Sequence, residues 1–500
     1  MLTKMKMLRG TSFMLAALLS VGLISCSKTD DADIPNTSDS VDTVPDDTSA
    51  QDGDRNSISD GLPEKDFGGK TFTIVTFDQL ENDYRSDTET GDVINDAIFK
   101  RNQTVEERFN VNIETYVPGN YNDTTSYISR VITAGEDAFS LSAHHVVFSG
   151  QLAVQDLFVN WSHVPYVDFT KPWWSDSTTN DLTYGKDKVI LAVGDLALSS
   201  LSGTYCYFFD KADAEDYQIG DLYEVVNNGE WTLDYVEKTI KNVYRDLNNN
   251  GEQDGDDYYG MTQTVNSALN AYLWSSGNKV MERGSSGIPQ LVLKNERMNT
   301  IVDKLYHFVY EADNVCTERN YREGEFWQTM GAYSFRDGLT LMVSGTLDMA
   351  VTNFRERKNI YGILPYPKLD ENQDDYHTMV DGYHSALAVP KTAEDLEFVG
   401  MITEALSAES YKSVFPAYYE IALKAKYSYD DESVQMLDKI VASRVFDFGY
   451  VYDGFNGMAF YLEQVIGGKH SRDFESYYAA NAPAAEVYYN KVFEFFENLE

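Results

Sequence analysis

Hydrophobic and polar residues follow a strand–helix–strand order near the start of the foldable part of the chain. The β-branched and aromatic run 71–77 (TFTIVTF) predicts a strand. Apolar residues at near-helical spacing predict a helix over Val93–Phe109, and the run 111–117 (VNIETYV) predicts a second strand. This order is that of the βαβ unit, whose two strands pair in parallel.

The same alternation continues toward the C-terminus. Helices are predicted at 127–134 and 232–244 and near the C-terminus, and strands at 138–148, 189–193 and 338–344. Regular alternation of helices and strands predicts an α/β fold with mostly parallel sheets. No internal repeat of fixed period is present in the sequence.

The N-terminus has the pattern of a secretory signal. Three basic residues precede an apolar stretch, 13–24, that is too short to span a bilayer as a stable helix. The sequence LISC at 23–26 resembles the lipobox of bacterial lipoproteins, which implies that residues 1–25 are a signal peptide and that Cys26 is diacylated. An ordinary cleaved signal with an incidental cysteine is the alternative.

A polar segment separates this cysteine from the predicted fold. Residues 26–66 are rich in Asp, Ser, Thr and Pro, contain few large apolar side chains and show no helical or strand period. Such a sequence predicts a solvated, self-repelling linker. Acyl chains on Cys26 would hold the protein on the extracellular face of the cell membrane, and the linker would lift the folded body away from it.

Composition and charge restrict the possible functions. The 500 residues are 43% hydrophobic and 13% aromatic, enough for roughly two to four domains with large cores. Eighty acidic against 40 basic residues give a net charge of −40, which repels phosphate backbones and argues against nucleic-acid binding. Cys206 and Cys316 could form one disulfide or remain two buried thiols, and the sequence leaves both open.

The segment 246–257 (DLNNNGEQDGDD) follows the calcium-binding pattern of an EF-hand loop, with oxygen side chains at positions 1, 3, 5, 9 and 12 and glycine at position 6. Position 12 is Asp where Glu is usual, and a strand-like run follows, so a static, structural Ca²⁺ site is predicted. A polar turn without metal is the alternative. The predicted ligands are Asp246, Asn248, Asn250, Asp254, Asp257 and the carbonyl of Glu252.

Common catalytic motifs are absent from the sequence: no nucleophile elbow, P-loop, zinc helix or dinucleotide fingerprint occurs. His144 and His145 are adjacent and would point to opposite sides of a strand, which does not suit one shared metal ion. Hydrogen-bonded groups at a strand end are the simpler interpretation. The many Trp and Tyr side chains could stack on sugar rings, although most must belong to the core.

Several short stretches, taken in order, resemble the lipid-anchored extracellular solute-binding proteins of bacterial carbohydrate ABC transporters, especially forms from Gram-positive anaerobes. They are spread over most of the chain after Cys26, and their order and spacing carry the resemblance. The stretches are 69–75 (GKTFTIV), 105–111 (VEERFNV), 171–174 (KPWW), 229–233 (GEWTL), the calcium-like loop with 259–260 (YG), 361–367 (YGILPYP) and 387–391 (LAVPK).

The resemblance implies a two-lobed α/β fold of the periplasmic-binding-protein type (type II), with a hinge and an interlobe cleft. The first lobe would hold residues 67–204 plus 348–382, and the second lobe residues 205–347 plus 383–500. Three segments would cross between the lobes, near 201–207, 340–351 and 381–387.

This division also implies a set of ligand contacts and a function. The protein is expected to capture a sugar or oligosaccharide unaltered and to deliver it, as a monomer, to an ABC transporter permease. A secreted glycan hydrolase with two facing carboxyls is one alternative, and a surface glycan-binding lipoprotein without a transport role is another. The candidate ligand contacts are Phe77, Asp78, His144, Trp173, Trp174, Asp195, Tyr205, Trp274, Asp381, Tyr383 and His384.

Overall fold

The computed structural model describes residues 55–176, 180–317, 330–355, 357–419, 431–453 and 457–499. The predicted signal peptide, Cys26 and most of the linker lie outside the described residues. The strands are β1 (Lys70–Val75), β2 (Val111–Tyr116), β3 (Leu141–His145), β4 (Tyr205–Asp210), β5 (Tyr244–Arg245), β6 (Tyr258–Thr262), β7 (Met281–Arg283), β8 (Pro289–Leu291), β9 (Val315–Cys316), β10 (Thr340–Thr346), β11 (Tyr361–Leu364), β12 (Thr378–Met379), β13 (Ser385–Ala388) and β14 (Arg444–Val445).

Helices surround these strands and make up most of the C-terminal region. In the part of the chain that the structure describes, no helix is both long and apolar enough to cross a bilayer. Two segments, Ser410–Val414 and Leu462–Gly467, are π-helical. The α-helices are Glu81–Tyr84, Val93–Phe109, Tyr121–Thr133, Val146–Ala153, Ser199–Ser202, Lys211–Asp216, Leu222–Asn227, Leu233–Ile240, Ser267–Ser275, Glu296–Tyr310, Met330–Arg336, Asp348–Thr352, Leu396–Glu409, Asp431–Ala442, Phe448–Val451 and Phe474–Asn498.

The first sheet has the strand order β13-β3-β1-β2. β1 pairs in parallel with β2 and β3, whereas β13 runs antiparallel to β3. Helix Val93–Phe109 joins β1 to β2 and begins at Asp92, whose carboxylate accepts the N–H groups of Ile94 and Asn95. It ends at Asn110, which has a left-handed backbone (φ 49°). The predicted βαβ unit and the bounds of its helix are confirmed.

The second sheet has the order β11-β4-β10-β6-β5, with β9 paired to β6. β9 and β10 are parallel to β6, but β4 is antiparallel to both β10 and β11. The expectation of mostly parallel sheets is therefore wrong for this sheet, which is mixed. Parallel neighbouring strands need a crossover connection, usually a helix, between them. The chain reaches β4 from the first sheet and not through a crossover within the second sheet, so β4 is free to pair antiparallel.

Strand pairing corrects the predicted division into lobes. β11 falls within 348–382, the range assigned to the first lobe, yet it pairs with β4 in the second sheet. β13 falls within 383–500, assigned to the second lobe, yet it pairs with β3 in the first sheet. β10 and β11 lie in the same sheet, so the segment predicted to cross near 340–351 begins and ends in the second sheet. Within the described residues, the chain returns to the first sheet between β12 and β13.

The other two predicted crossings lie side by side and are joined by backbone hydrogen bonds. The N–H of Asp381 donates to the carbonyl of Gly203 at 2.8 Å, and Thr204 forms an antiparallel bridge with Val380. The N–H of Leu347, just after β10, donates to the carbonyl of Thr204 at 3.0 Å. Three segments of the chain therefore meet where it passes between the two sheets.

The folded body begins before the predicted end of the linker. Ile58 and Leu62 pack against the core beside the first sheet. The carboxylate of Asp60 is 5% exposed and pairs with the guanidinium of Arg108 on helix Val93–Phe109. The prediction of a solvated linker up to residue 66 is thus wrong from about residue 58 onward, because a few apolar side chains suffice to fix this segment on the lobe.

Both cysteines in the described chain are buried, and neither forms a disulfide. Cys206 lies on β4 and Cys316 on β9, and β10 and β6 run between these strands. At about 4.8 Å per strand the separation is about 14 Å, beyond the reach of a disulfide. Of the two alternatives that the sequence leaves open, the structure has the pair of buried thiols.

Candidate functional site

The carboxyl ends of β1 and β3 carry a group of aromatic side chains. The ring of Phe77 lies 5.7 Å from that of His144. The ring of His145 lies 4.9 Å from Phe148 and 5.7 Å from Tyr121, and Tyr121 is 37% exposed. These five residues, here called the aromatic wall, present flat ring surface at the strand ends, which is where ligands of open α/β sheets bind.

The two histidines of the aromatic wall are neutral. His144 is fully buried, and its Nε2 bonds to the hydroxyl of Thr125 at 2.8 Å. Burial lowers the pKa of His144 to about 3 and holds the pKa of His145 well below its ordinary value. His145 is half-buried as a residue, but its Nδ1 is itself buried and has no hydrogen-bond partner within the described structure. His145 therefore contributes an uncharged ring face to the aromatic wall.

The carboxylate of Asp381 is held by groups from the second sheet and its helices. Its Oδ2 accepts the hydroxyl of Tyr205, on β4, at 2.6 Å and the hydroxyl of Ser267 at 2.9 Å. Its Oδ1 accepts the backbone N–H of Tyr383 at 3.0 Å. Because Tyr205 is buried and Ser267 opens helix Ser267–Ser275, Asp381 is fixed at the start of the crossing that returns to the first sheet.

The turn after Asp381 is hydrogen-bonded to the start of the helix that follows β3. His384 is buried, and its Nδ1 bonds to the carbonyl of Asp381 at 2.6 Å. Burial lowers the pKa of His384 to about 4. The N–H of Val146, at the start of helix Val146–Ala153, donates to the carbonyls of Gly382 (3.3 Å) and His384 (3.0 Å). The turn thus connects side chains of the second sheet to the helix that carries Phe148.

Gly382 separates the aromatic wall from a second group of side chains. A Cβ atom built on Gly382 would collide with the hydroxyl of Tyr450 and would lie 3.2 Å from the ring of His145. The ring of Tyr450 lies 5.3 Å from Phe460 and 5.2 Å from Trp274. Tyr450 and His145 therefore come together across one residue without a side chain, and any larger residue at 382 would push them apart.

The second group also contains a paired amide and carboxylate. Glu463 Oε2 accepts the Nδ2 amide of Asn270 at 2.8 Å, and the backbone N–H of Glu463 donates to Asn270 Oδ1 at 3.0 Å. Burial and the nearby charge of Asp381 raise the pKa of Glu463, although its bond to Asn270 lowers it. We call Ser267, Asn270, Tyr450 and Glu463, with Asp381, the polar wall.

Five of the eleven predicted ligand contacts lie in or beside the two walls. Phe77 and His144 belong to the aromatic wall, Asp381 belongs to the polar wall, and Tyr205 and His384 bond to Asp381 at the crossing. The sequence missed the other members of both walls, because residues such as Glu463 and Tyr450 have no local motif and reach the site only through the tertiary fold. A usable signal existed for Tyr121, which opens a helix directly after β2. The missed residues are Tyr121, His145, Phe148, Ser267, Asn270, Tyr450 and Glu463.

The Trp173–Trp174 pair belongs to the core, contrary to the prediction. The two side chains are 0% and 4% exposed. Their indole N–H groups donate to opposite oxygens of Glu404, at 3.0 and 2.9 Å. Both polar handles are thus satisfied inside the protein, which leaves the pair no free face for a sugar ring. The carboxylate that satisfies them lies 230 residues later in the chain.

Trp274 is also a buried packing residue rather than an open ligand platform. Its indole N–H donates to Asp447 at 2.9 Å, and its side chain is 2% exposed. Asp447 also accepts the backbone N–H groups of Val280, Met281 and Gly449 at 2.7 to 3.1 Å. The prediction of direct ligand contact is corrected: Trp274 lies behind the polar wall, where its ring contacts Tyr450.

Three further predicted contacts lie around the site without joining either wall. Asp78 is exposed next to Phe77, and its N–H donates to the carbonyl of Gly119 at 3.0 Å. Tyr383 is half-buried against Gly203. Asp195 has its pKa raised to about 7 by burial, against the opposing charge of Arg444, and its N–H donates to the carbonyl of Trp173. Asp195 is half-buried beside Trp173 in the first lobe, and its contact with a ligand stays a prediction.

The loop at 246–257 forms a compact hydrogen-bonded turn. Asp246 Oδ2 accepts the N–H of Gly251 at 2.9 Å, whereas its buried Oδ1 has no partner within the described structure. The side-chain amides of Asn248 and Asn250 donate to Asp254 at 3.0 and 2.7 Å. The amide N–H groups of Asn248 and Asn250 thus face the Asp254 carboxylate, while their Oδ1 atoms accept the N–H groups of Asn250 and Glu252. The unpartnered Asp246 oxygen fits a cation.

Asp257, the predicted ligand at position 12, is less suited than Asp246 to bind Ca²⁺, because both of its oxygens already accept hydrogen bonds. Its Oδ1 accepts the N–H of Leu247 at 3.1 Å, and its Oδ2 accepts the hydroxyl of Tyr244 at 2.8 Å. In the part of the chain that the structure describes, no group of three or more His, Cys, Asp or Glu side chains is arranged to hold a metal ion. Asp257 is therefore corrected to a residue that shapes the loop.

Comparison with known proteins identifies the fold. No protein-family model matches the chain, and no curated protein matches its sequence. The chain is similar to the ABC substrate-binding protein Lmo0181 of Listeria monocytogenes, solved in complex with cycloalternan, at 12% identity and a TM-score of 0.52, over 85% of this chain and 100% of that one. It is equally similar to the GacH receptor of Streptomyces glaucescens GLA.O, solved unliganded and with acarbose, at 12% identity and a TM-score of 0.52, over 86% and 100%.

These likenesses establish the architecture. The chain has the mixed α/β, two-lobed fold of periplasmic-binding proteins, with one sheet in each lobe. The aromatic and polar walls lie where the chain crosses between the two sheets, which is the hinge region of such a fold.

Proposed function

We propose, from the two-lobed fold and the two walls at its crossing, that this protein is an extracellular solute-binding protein that captures a sugar or oligosaccharide and delivers it to an ABC transporter permease. One observation carries the proposal: the ring of His145, in the aromatic wall, and the hydroxyl of Tyr450, in the polar wall, approach each other across Gly382. Sugars offer apolar ring faces and hydroxyls together, so this combination suits them.

The likeness to solved binding proteins supports the same ligand class. The protein from Listeria monocytogenes was solved with cycloalternan and the receptor from Streptomyces glaucescens with acarbose. We further propose that Cys26 carries the lipid anchor and that the permease lies in the membrane to which the anchor holds the protein. The lipobox-like sequence at 23–26 and the polar linker support this location.

Titration with a panel of oligosaccharides tests the proposal directly. The panel contains maltotriose, cellotriose, mannotriose and galactotriose, and Trp fluorescence reports binding because Trp274 contacts Tyr450 at the site. We expect saturable binding of at least one saccharide, with no new product in the same tube. Binding followed by cleavage would make the protein a hydrolase, and no binding across the panel would contradict the proposal.

Replacing Tyr121 with alanine is expected to raise the Kd of the bound saccharide about tenfold, which corresponds to about 1.4 kcal/mol. The reason is that Tyr121 offers the most exposed ring of the aromatic wall. Tyr166→Ala is the matched control, because Tyr166 is similarly exposed (42%) but bonds only to Glu397 at the surface. Equal losses in the two variants would place the ligand elsewhere.

We also propose that the loop at 246–257 holds a structural Ca²⁺ through Asp246, Asn248, Asn250, Asp254 and the carbonyl of Glu252. Hard oxygens closely spaced in one loop are the ligands that this ion prefers. The unpartnered Oδ1 of Asp246 supports the proposal. The ion would clamp the connection between β5 and β6, so its role would be in stability and not in ligand binding.

Calcium is therefore expected to raise the Tm relative to a chelator, because an ion that binds only the folded state stabilises it by about 2.7 kcal/mol at 100 times its Kd. Differential scanning calorimetry in Ca²⁺, in Mg²⁺ and in chelator measures this. Asp246→Asn should abolish the shift. Glu252→Gln removes the same charge from the same loop but keeps the carbonyl, so it should retain the shift. Identical Tm values with Ca²⁺ and chelator would refute the site.

A further inference from the structure

Two carboxylates of the polar wall have no cationic partner among the described residues. Asp381 accepts the hydroxyls of Tyr205 and Ser267 and the N–H of Tyr383. Glu463 is bound by the amide of Asn270. None of the ion pairs formed by the described residues includes either carboxylate. In a half-buried site such charges are usually balanced, so their pairing with neutral donors alone is informative.

The charges of the two carboxylates both reach the side chain of Tyr450. Both raise the pKa of Tyr450 in addition to the effect of its burial, which means that both lie within electrostatic range of its hydroxyl. That hydroxyl sits against Gly382, next to the ring of His145. Tyr450 therefore marks the point at which the negative charges of the polar wall face the aromatic wall.

The surrounding charges do not compensate these carboxylates. Asp348, next to the same crossing, is a third acid, and the charge of Asp381 contributes to raising its pKa, after burial. The charge of Arg444 helps to lower the pKa of His384. Burial lowers the pKa of Arg444, and the negative charge of Asp195 opposes that lowering.

The rings nearest the site add no positive charge. Burial keeps His144, His145 and His384 uncharged at neutral pH. The field at the site is consequently negative on balance, and the net charge of −40 for the whole chain has the same sign.

We propose that Asp381 and Glu463 select the ligand by charge: the site takes neutral or amino-substituted saccharides, whose O–H or N–H groups donate to the two carboxylates, and excludes saccharides that carry a carboxylate. This inference rests on the proposed function and makes its ligand class specific. Its physical basis is that an acidic sugar would bring a further negative charge beside the two half-buried carboxylates, whereas an ammonium group would add a charge-assisted hydrogen bond.

Matched saccharides test the inference in the unmodified protein. Maltotriose, cellotriose, mannotriose and galactotriose are each compared with the same trisaccharide oxidised to a carboxylate at C6 and with its 2-amino-2-deoxy counterpart, by calorimetric titration at pH 7. We expect each oxidised form to bind at least tenfold more weakly than its neutral parent, and an amino form to bind as tightly or more tightly. An oxidised form that matches its parent would overturn the inference but not the proposed function. Failure of all twelve to bind would overturn both.

Glu463→Gln assigns the selection to this side chain. The amide keeps an acceptor for a sugar hydroxyl and removes the charge, so the ratio of the Kd of the oxidised form to the Kd of the neutral form should fall severalfold. Glu486→Gln is the control, because Glu486 is exposed on helix Phe474–Asn498 and its loss changes the net charge equally. If Glu463→Gln keeps its Tm and the ratio of the two Kd values does not change, the proposed role of Glu463 is contradicted.

Discussion

Replacing Glu404 with alanine is expected to lower the free energy of unfolding by about 3–5 kcal/mol, because two buried indole N–H groups lose their acceptor and a cavity remains. Glu404 is 0% exposed and lies on helix Leu396–Glu409. Its two oxygens accept Trp173 and Trp174 at 3.0 and 2.9 Å, and the second also accepts the N–H of Asp168 at 3.4 Å. One carboxylate thus fixes the segment 168–174 onto the helix.

The same carboxylate makes stability depend on pH. Burial raises the pKa of Glu404 from its ordinary 4.5 to about 7, although its bonds to Trp174, Asp168 and Trp173 oppose the shift. A carboxyl whose pKa is higher in the folded state contributes stability that is fully present below its ordinary pKa and is lost as the pH rises through the folded value. The contribution of Glu404 is therefore expected to decline between about pH 4.5 and pH 7.

Urea unfolding at pH 5, 6 and 8 measures both effects. The unmodified protein should lose stability across this range, and Glu404→Ala should be less stable throughout with a shallower decline. Glu397→Ala is the control on the same helix: its carboxylate is 44% exposed and pairs with Lys65 at the surface, so its loss should cost less than about 1 kcal/mol. A loss of that small size in Glu404→Ala would mean that the two indoles are held by packing alone.

This carboxylate also illustrates which features the sequence predicts. Helix Val93–Phe109 is predicted with its observed bounds, because its cap at Asp92 and its apolar spacing are local. The role of Trp173 and Trp174 is not local: an aromatic pair has the same sequence signature in a core and in a cleft, and the distinction depends on Glu404. The error about the Trp pair therefore follows from the missing long-range contact.

The pairing of the strands and the composition of the site also depend on long-range contacts that the sequence does not reveal. β11 and β13 are both recognisable as short apolar runs, but their sheets depend on contacts with β4 and β3 more than a hundred residues earlier. The sequence and its family resemblance placed Tyr205 and Asp381 at crossings, which the structure joins by a hydrogen bond. They could not find Glu463, because its only relation to Asp381 is proximity in the folded chain.

Replacing Arg357 with leucine is expected to lower the free energy of unfolding by about 3–5 kcal/mol, because it leaves a buried carboxylate without its charge partner. The side chains of Arg357 and Asp210 are 3% and 0% exposed, and their charged atoms lie 2.7 Å apart. The guanidinium also donates to the carbonyl of Phe335 at 2.7 Å and lies 3.9 Å from the centroid of its ring. Asp210 ends β4, so the pair secures the second sheet.

A double-mutant cycle measured by urea unfolding separates the ion pair from simple packing. Asp210→Asn keeps an oxygen for the N–H of Asp213, which it caps at 2.9 Å, but removes the charge. Arg357→Leu combined with Asp210→Asn should therefore be less destabilised than the sum of the single variants, by more than about 1 kcal/mol, because no unpaired charge remains buried. Arg336→Leu is the surface control, since Arg336 pairs with Asp337 while 42% exposed and should lose less than about 1 kcal/mol. Strictly additive losses at 210 and 357 would show that the two charges do not stabilise one another in the folded protein.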